Sequence, residues 1–158
     1  PEKLEKQIKF MTENNYHFSY TNYSEIDENS NETGVILTGP KIITRHKMLA
    51  YCWPGCLTVM YDTESVGSMQ TVDININEEY ALWIEIAKKT NCYLLDENLA
   101  KYRRHSNSLT NKSYFSLIKW HYVMFRKLDN NVIYSFVLTI RNLIFGTYKK
   151  IVYRRNIK

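Results

Sequence analysis

The chain has 158 residues, enough for one domain and too few for two ordinary ones. With 44% hydrophobic and 23% charged residues but only 5 Gly and 3 Pro, it is not a disordered, collagen-like or low-complexity polymer. The net charge of +5 hides a split. Residues 1–97 carry 15 acids and 8 bases, a net of −7; residues 98–158 carry 13 bases and one acid, Asp129, a net of +12. Some anion therefore matters to the C-terminal third: nucleic acid, an anionic membrane surface or a phosphate-bearing substrate.

In chain order, Leu4, Ile8 and Met11 recur at helical spacing and predict a helix over Glu2–Asn14. Aromatic residues at 16, 18, 20 and 23 suit a strand over Tyr16–Ile26, followed by a polar turn at 27–34. A short strand is expected at Val35–Leu37, closed by Gly39-Pro40. Thr44 is placed to cap a short helix reaching Tyr51. Cys56–Tyr61 is a compact apolar run and predicts a buried strand. After a polar stretch, Glu78–Lys89 reads as an amphipathic helix. Tyr93–Leu95 and Leu99–Tyr102 read as two short extended segments. Asn111–Leu128 and Ile133 to Tyr153 read as helices joined at Asp129-Asn130-Asn131. This is an α+β order without regular β-α-β alternation, and its five scattered glycines form no phosphate loop.

Cys52, Cys56 and Cys92 are an odd set without framework spacing, which argues for a reducing compartment and small buried side chains. Three residues separate Cys52 from Cys56, one too many for a thioredoxin-like motif. The chain opens on a charged run, with neither a signal peptide nor an initiator Met, and is expected to be a piece of a longer protein. The longest apolar stretch, Val132–Phe145, contains Arg141 and Asn142 and is too short to cross a bilayer.

Two constellations could carry chemistry. Glu78 and Glu79 fall at the start of a helix, where the macrodipole favours negative charge and where a carboxylate could also serve as general base. The run from Leu99 to Thr110 places Arg103, Arg104, His105 and three hydroxyls within eight residues. That run suits a diphosphate, or equally a solvated basic loop with Asn107 or Ser108 capping the next helix.

Together, in this order, they resemble the C-terminal half of the inverting family 2 glycosyltransferases. In that family a helix opens with an acidic or polar residue, then Asp, then an aromatic, and runs toward Leu-Trp. Glu78-Glu79-Tyr80-Ala81-Leu82-Trp83 matches it. The downstream pattern Leu-Ala-x-Tyr-Arg-x-His-x-x-Ser is matched by Leu99, Ala100, Tyr102, Arg103, His105 and Ser108. Pro1 to Gln7 is similar to the segment after the family's acidic metal-binding motif. Tyr20-Thr21-Asn22-Tyr23 and Thr58-Val59-Met60 are similar to strands beyond it.

The resemblance implies an α/β architecture: the C-terminal part of a glycosyltransferase A-type mixed sheet with flanking helices and two C-terminal amphipathic helices. Residues 1–110 would form the acceptor-side part and residues 111–158 a basic helical tail. It implies transfer of a sugar from a nucleotide-diphosphate donor to an acceptor hydroxyl with inversion, in surface polysaccharide or glycan synthesis. Glu79 takes the catalytic-base position, where the family has Asp. Glu78, Trp53, Thr58, Arg103 and His105 are the candidate substrate contacts, with Arg103 and His105 near the donor diphosphate and His105 a candidate neighbour of its metal. Trp53 and Trp83 could present faces to a sugar ring, or lie in the core. A divalent metal, Mg or Mn, is implied for a complete enzyme, but no Asp-x-Asp motif to hold it occurs in this chain. The isolated chain is therefore expected not to turn over donor. The alternative is a non-catalytic remnant serving as a binding or assembly module.

The basic, aromatic tail suggests a cytoplasmic protein held peripherally at the inner face of the membrane, near a glycan or lipid-linked acceptor. Packing against the catalytic domain is the second reading of the tail. No nucleic-acid recognition motif accompanies it, so nucleic acid is not expected as a partner.

Overall fold

The computed structural model describes residues 2–70, 74, 77–105 and 114–156. Within them the chain is α/β, with six helices and a six-stranded mixed sheet.

Helix α1 (Glu2–Asn14) ends where Asn15 turns left-handed, at φ 54°, and the Tyr16 N–H donates back to the Met11 carbonyl. Its inward face carries Gln7 and Met11, while Leu4 and Ile8 face outward. Gln7 is fully buried and satisfied: its Nε2 donates to Ser19 Oγ and to the Thr58 carbonyl, each at 3.0 Å, and Lys3 Nζ donates to its Oε1.

Strand β1 (Phe18–Ile26) is buried along almost its whole length, as a central strand must be. On one side it pairs antiparallel with β2 (Glu32–Leu37) and, at its start, with β4 (Met60–Tyr61). On the other it runs parallel to β5 (Cys92–Arg103). The short strand β3 (Ile42–Ile43) pairs antiparallel with the start of β5, and β6 (Arg154–Asn156) closes the opposite edge against β2.

β5 is one strand rather than the two short segments expected. Its register against β1 jumps from Thr21↔Leu95 to Asn22↔Asn98 and then to Tyr23↔Ala100. Asp96-Glu97 and Leu99, on either side of the paired Asn98, are therefore bulged residues in a continuous strand. Asn22 Nδ2 donates to Asp96 Oδ1 at 2.7 Å, and Lys6 reaches Glu97 at 2.7 Å, so side chains hold the bulge from both sides.

The expected strand over Cys56–Tyr61 is corrected to a single 3₁₀ turn, Cys56–Thr58, followed by the two-residue β4. Gly55 supplies the carbonyl that both the Thr58 N–H and Thr58 Oγ1 use, which closes the turn before a strand can start. Helix α2 (Arg45–Ala50) is capped by Thr44, whose Oγ1 accepts from the Lys47 N–H. Within the polar stretch, Asp62 caps the one-turn helix α3 (Thr63–Val66).

Helix α4 (Glu78–Ile86) is shorter than expected, its amphipathic run ending in turns at Ala87–Lys89. Helices α5 (Tyr114–Lys127) and α6 (Val132–Val152) form an antiparallel hairpin, with Asn131 Oδ1 capping α6 through the Tyr134 N–H. Met124, Phe125 and Leu138 enter the same core as Phe18, Ile43, Met48 and Trp83, so the hairpin is packed onto the sheet domain.

Candidate active site

Helix α4 is positioned by one tyrosine. Tyr80, almost fully buried, donates its hydroxyl to the Met48 carbonyl of α2 at 2.8 Å and accepts from Asn142 Nδ2 of α6 at 3.0 Å. Its ring meets Phe125 of α5 edge-on. Three helices thus fix the first turn of α4. Ala81, Trp83, Ile84 and Ile86 extend the buried face, which turns Glu78 and Glu79 outward to solvent. Asn77, left-handed at φ 67°, begins the helix and gives its carbonyl to the Ala81 N–H.

Glu79 faces the loop between α2 and the 3₁₀ turn. The Glu79 carboxylate neighbours the Cys56 thiol, and partial burial together with that negative charge pushes the Cys56 thiol up. Cys52, on the same loop, is pushed up to about 12, chiefly by burial, with Lys149 opposing and Glu79 adding to the rise. Lys149 Nζ donates to the Trp53 carbonyl at 2.6 Å and lies 5.4 Å from the Tyr51 ring centroid; burial lowers this ammonium to about 8.

The loop then leads to the carboxyl end of the parallel strands. A Cβ on Gly55 would come within 2.9 Å of the Tyr23 ring, so glycine is what allows loop and β1 to meet. Tyr23 packs edge-on with Tyr102 of β5 at 6.0 Å, and the Arg104 guanidinium lies 5.2 Å from the Tyr102 ring. Arg104 is ion-paired with Glu25, which is only 4% exposed. Arg103 Nη1 donates to the carbonyls of Asp27 and Glu28, tying the β1–β2 turn to the end of β5. His105 is exposed just past β5.

The expected site residues thus separate into three placements. Glu78 and Glu79 are exposed on α4. Arg103 and His105 sit together at the end of β5. Trp53 and Thr58 are buried: the Trp53 ring, 3% exposed, packs edge-on against Tyr51, Phe145 and Tyr153, and its Nε1 donates to the Lys47 carbonyl. The loop's exposed side chains are instead Cys56 and Leu57. Trp83 also lies in the core, beside Phe18. Ser108, Asn107 and the expected cap of α5 lie outside the described residues.

Sequence reasoning gave no site role to Tyr23, Glu25, Asn142 or Lys149. Each acts through a partner far away in the chain, and no spacing rule links Lys149 to Trp53 or Asn142 to Tyr80. Only a buried lysine or asparagine within an apolar helix hints at such a partner.

Among the described residues, no group of three or more His, Cys, Asp and Glu side chains converges as a metal site. The donor set at Glu79 is one carboxylate beside protonated thiols, poorly suited to Mg²⁺ or Mn²⁺, which favour oxygen ligands. The side chains described here therefore do not fit a divalent-metal centre.

Comparison with known proteins adds the chemistry. The chain is 33% identical over 129 residues to a protein of Bacillus subtilis (strain 168) named as the teichuronic acid biosynthesis glycosyltransferase TuaG, covering 81% of this chain and 51% of that protein. Two Escherichia coli proteins, WfgD and WfaP, are named UDP-Glc:alpha-D-GlcNAc-diphosphoundecaprenol beta-1,3-glucosyltransferases. WfgD is 34% identical over 117 residues, 73% of this chain and 45% of its own length. WfaP is 33% identical over 149 residues, 90% of this chain and 57% of its own length. The chain thus spans about half the length of the curated relatives it matches. No family model and no solved structure matches it. By descent, over most of its length, this chain is a relative of glycosyltransferases named for polysaccharide and lipid-linked glycan synthesis.

Proposed function

We propose that this chain is the acceptor-side portion of an inverting family 2 glycosyltransferase, with Glu79 as its general base. The observation that carries this reading is the outward-facing Glu79 carboxylate on a helix turn pinned by Tyr80 to both α2 and α6. A base must be rigidly held yet open to substrate, and this carboxylate meets both conditions.

In the proposed reaction an acceptor hydroxyl gives its proton to a Glu79 carboxylate oxygen as its own oxygen attacks the anomeric carbon of the donor sugar. A new glycosidic C–O bond forms on one face while the bond to the nucleotide diphosphate breaks on the other, which inverts the centre. Arg103 and His105 are the residues we place toward the leaving diphosphate, and Glu78 toward the acceptor. The exposed stretch at Cys56 and Leu57 then forms the acceptor rim, with Trp53 and Thr58 supporting it from beneath.

The relatives' names suggest a nucleotide-sugar donor such as UDP-glucose and a glycan or diphospholipid-linked acceptor. We assign the donor nucleotide and the divalent cation to residues outside this chain, and the reaction to the cytoplasm. Titration calorimetry of the isolated 158-residue chain with UDP-glucose, with and without Mn²⁺, tests the division of labour. The expected result is no metal-dependent binding at micromolar donor, and metal-dependent micromolar binding would overturn it. A non-catalytic remnant is the competing reading, favoured by Glu standing where the family has Asp. Replacing Glu79 in the full-length protein separates the two.

A further inference from the structure

Helix α6 is built inside out. Its packed face carries Ser135, Thr139, Asn142 and Lys149 beside Leu138. All four polar side chains are held by hydrogen bonds, donating in that order to the Asn130 carbonyl, the Ser135 carbonyl, the Tyr80 hydroxyl and the Trp53 carbonyl. Its outward face carries Ile133 at 77% exposure, Phe136 at 58%, Ile144 at 63% and Ile151 at 74%, with Val137 and Ile140 between them. These residues fall at i, i+3, i+4, i+7, i+11 and i+18, one continuous stripe along the helix. A helix of a water-soluble surface shows the reverse arrangement, so this stripe needs a cover.

The charges around it indicate what the cover is. Residues 114–156 contain eight Lys and Arg against a single acid, Asp129. Lys119 and Lys127 are exposed on α5, and Lys150 and Arg155 are exposed near the C-terminal end of α6. Among the described residues no helix is long and apolar enough to cross a membrane, so the stripe does not belong to a spanning segment. An apolar helical face flanked by cations is the arrangement that lies in the plane of an anionic lipid surface, with the apolar side chains in the acyl boundary and the ammonium groups among the headgroups.

We infer that the outward face of the α5–α6 hairpin is a docking surface for anionic phospholipid. The site is separate from Glu79 and stands whether or not the transfer chemistry does. Vesicle co-sedimentation of the full chain tests it, using phosphatidylcholine alone against phosphatidylcholine with about a third phosphatidylglycerol. Binding is expected on the anionic vesicles only, weakening as salt is raised. The double substitution I140D/I144D is expected to abolish it. The triple substitution K119Q/K127Q/K150Q is expected to weaken it on the order of a hundredfold. All five positions lie on the surface, and unchanged near-ultraviolet circular dichroism will show that the core is intact. Absence of vesicle binding overturns the proposal, as does equal binding to neutral vesicles or binding indifferent to I140D/I144D. Wild-type chain that forms dimers dispersed by I140D/I144D, without binding vesicles, assigns the stripe to a second copy and also overturns it.

Discussion

The Cys56 thiol lies beside the Glu79 carboxylate, across the gap between the 3₁₀ turn and the first turn of α4. This contact links the loop after α2 to the residue proposed as the base, and it can be read chemically without any assay of transfer. Partial burial and the neighbouring negative charge both raise the Cys56 thiol, so less thiolate is present near neutrality. Alkylation of Cys56 by iodoacetamide, followed by intact mass, is expected to be slower than that of a free cysteine. Glu79→Gln removes the charge and is expected to speed it several-fold. An unchanged rate in that variant would show that the two groups do not meet.

Tyr80 is expected to be the mechanical anchor of the site. Tyr80→Phe strips the hydroxyl between the Met48 carbonyl and Asn142 Nδ2 and leaves both buried groups short of a partner. The expected loss is roughly 1–3 kcal/mol, measured by urea unfolding. Little or no change would show that water replaces the hydroxyl and that α4 is held by packing alone.

Lys149 has a pH signature of definite sign. The native ammonium titrates at about 8, below its unfolded value of 10.5, because burial disfavours the charge. The unfolded chain therefore holds more protons between those values, and stability rises with pH across that window. Cys52, pushed up to about 12 from 9.0, works the other way above pH 9, since there the unfolded thiol loses its proton first. Cys56 and Cys92, also raised by burial, act in the same direction as Cys52, so the Lys149 contribution is read as a difference between two proteins. Over pH 8–9 the stability of the wild type is expected to gain about 1 kcal/mol relative to that of Lys149→Met, measured by thermal unfolding. Parallel pH profiles in the two proteins would contradict the buried charge.

What the sequence made legible, and what it did not, follows from the range of each interaction. Helix α1, the Thr44 cap and the α5–α6 pair depend on contacts a few residues apart, so spacing alone reveals them. The continuity of β5 depends on β1, some 75 residues away, and its polar bulge at Asp96-Glu97 is read locally as a break. The turn at Cys56–Thr58 looks like a strand by composition, because the hydrogen bonds to the Gly55 carbonyl leave no trace in hydropathy. Strands β3 and β6, of two and three residues, exist only because a neighbour offers an edge. Of the candidate site, Glu78, Glu79, Arg103 and His105 stand out in the sequence as motif residues, and their roles remain proposals. The supports of Glu79, namely Tyr80 through Asn142 and the loop through Lys149, do not stand out, because each joins segments more than 60 residues apart. The basic tail was legible as charge. Only the structure shows that the apolar side of α6 is turned outward.

The most direct measurement is the sugar-transfer rate of the full-length protein with Glu79 intact, with Glu79→Gln and with Glu79→Asp. If Glu79 accepts the acceptor proton, Glu79→Gln lowers kcat at least about 100-fold with little change in the KM for donor. Glu79→Asp, which shortens the side chain by one methylene, retains measurable transfer. A Glu79→Gln protein that keeps its rate within about threefold would contradict the assignment and place the base elsewhere.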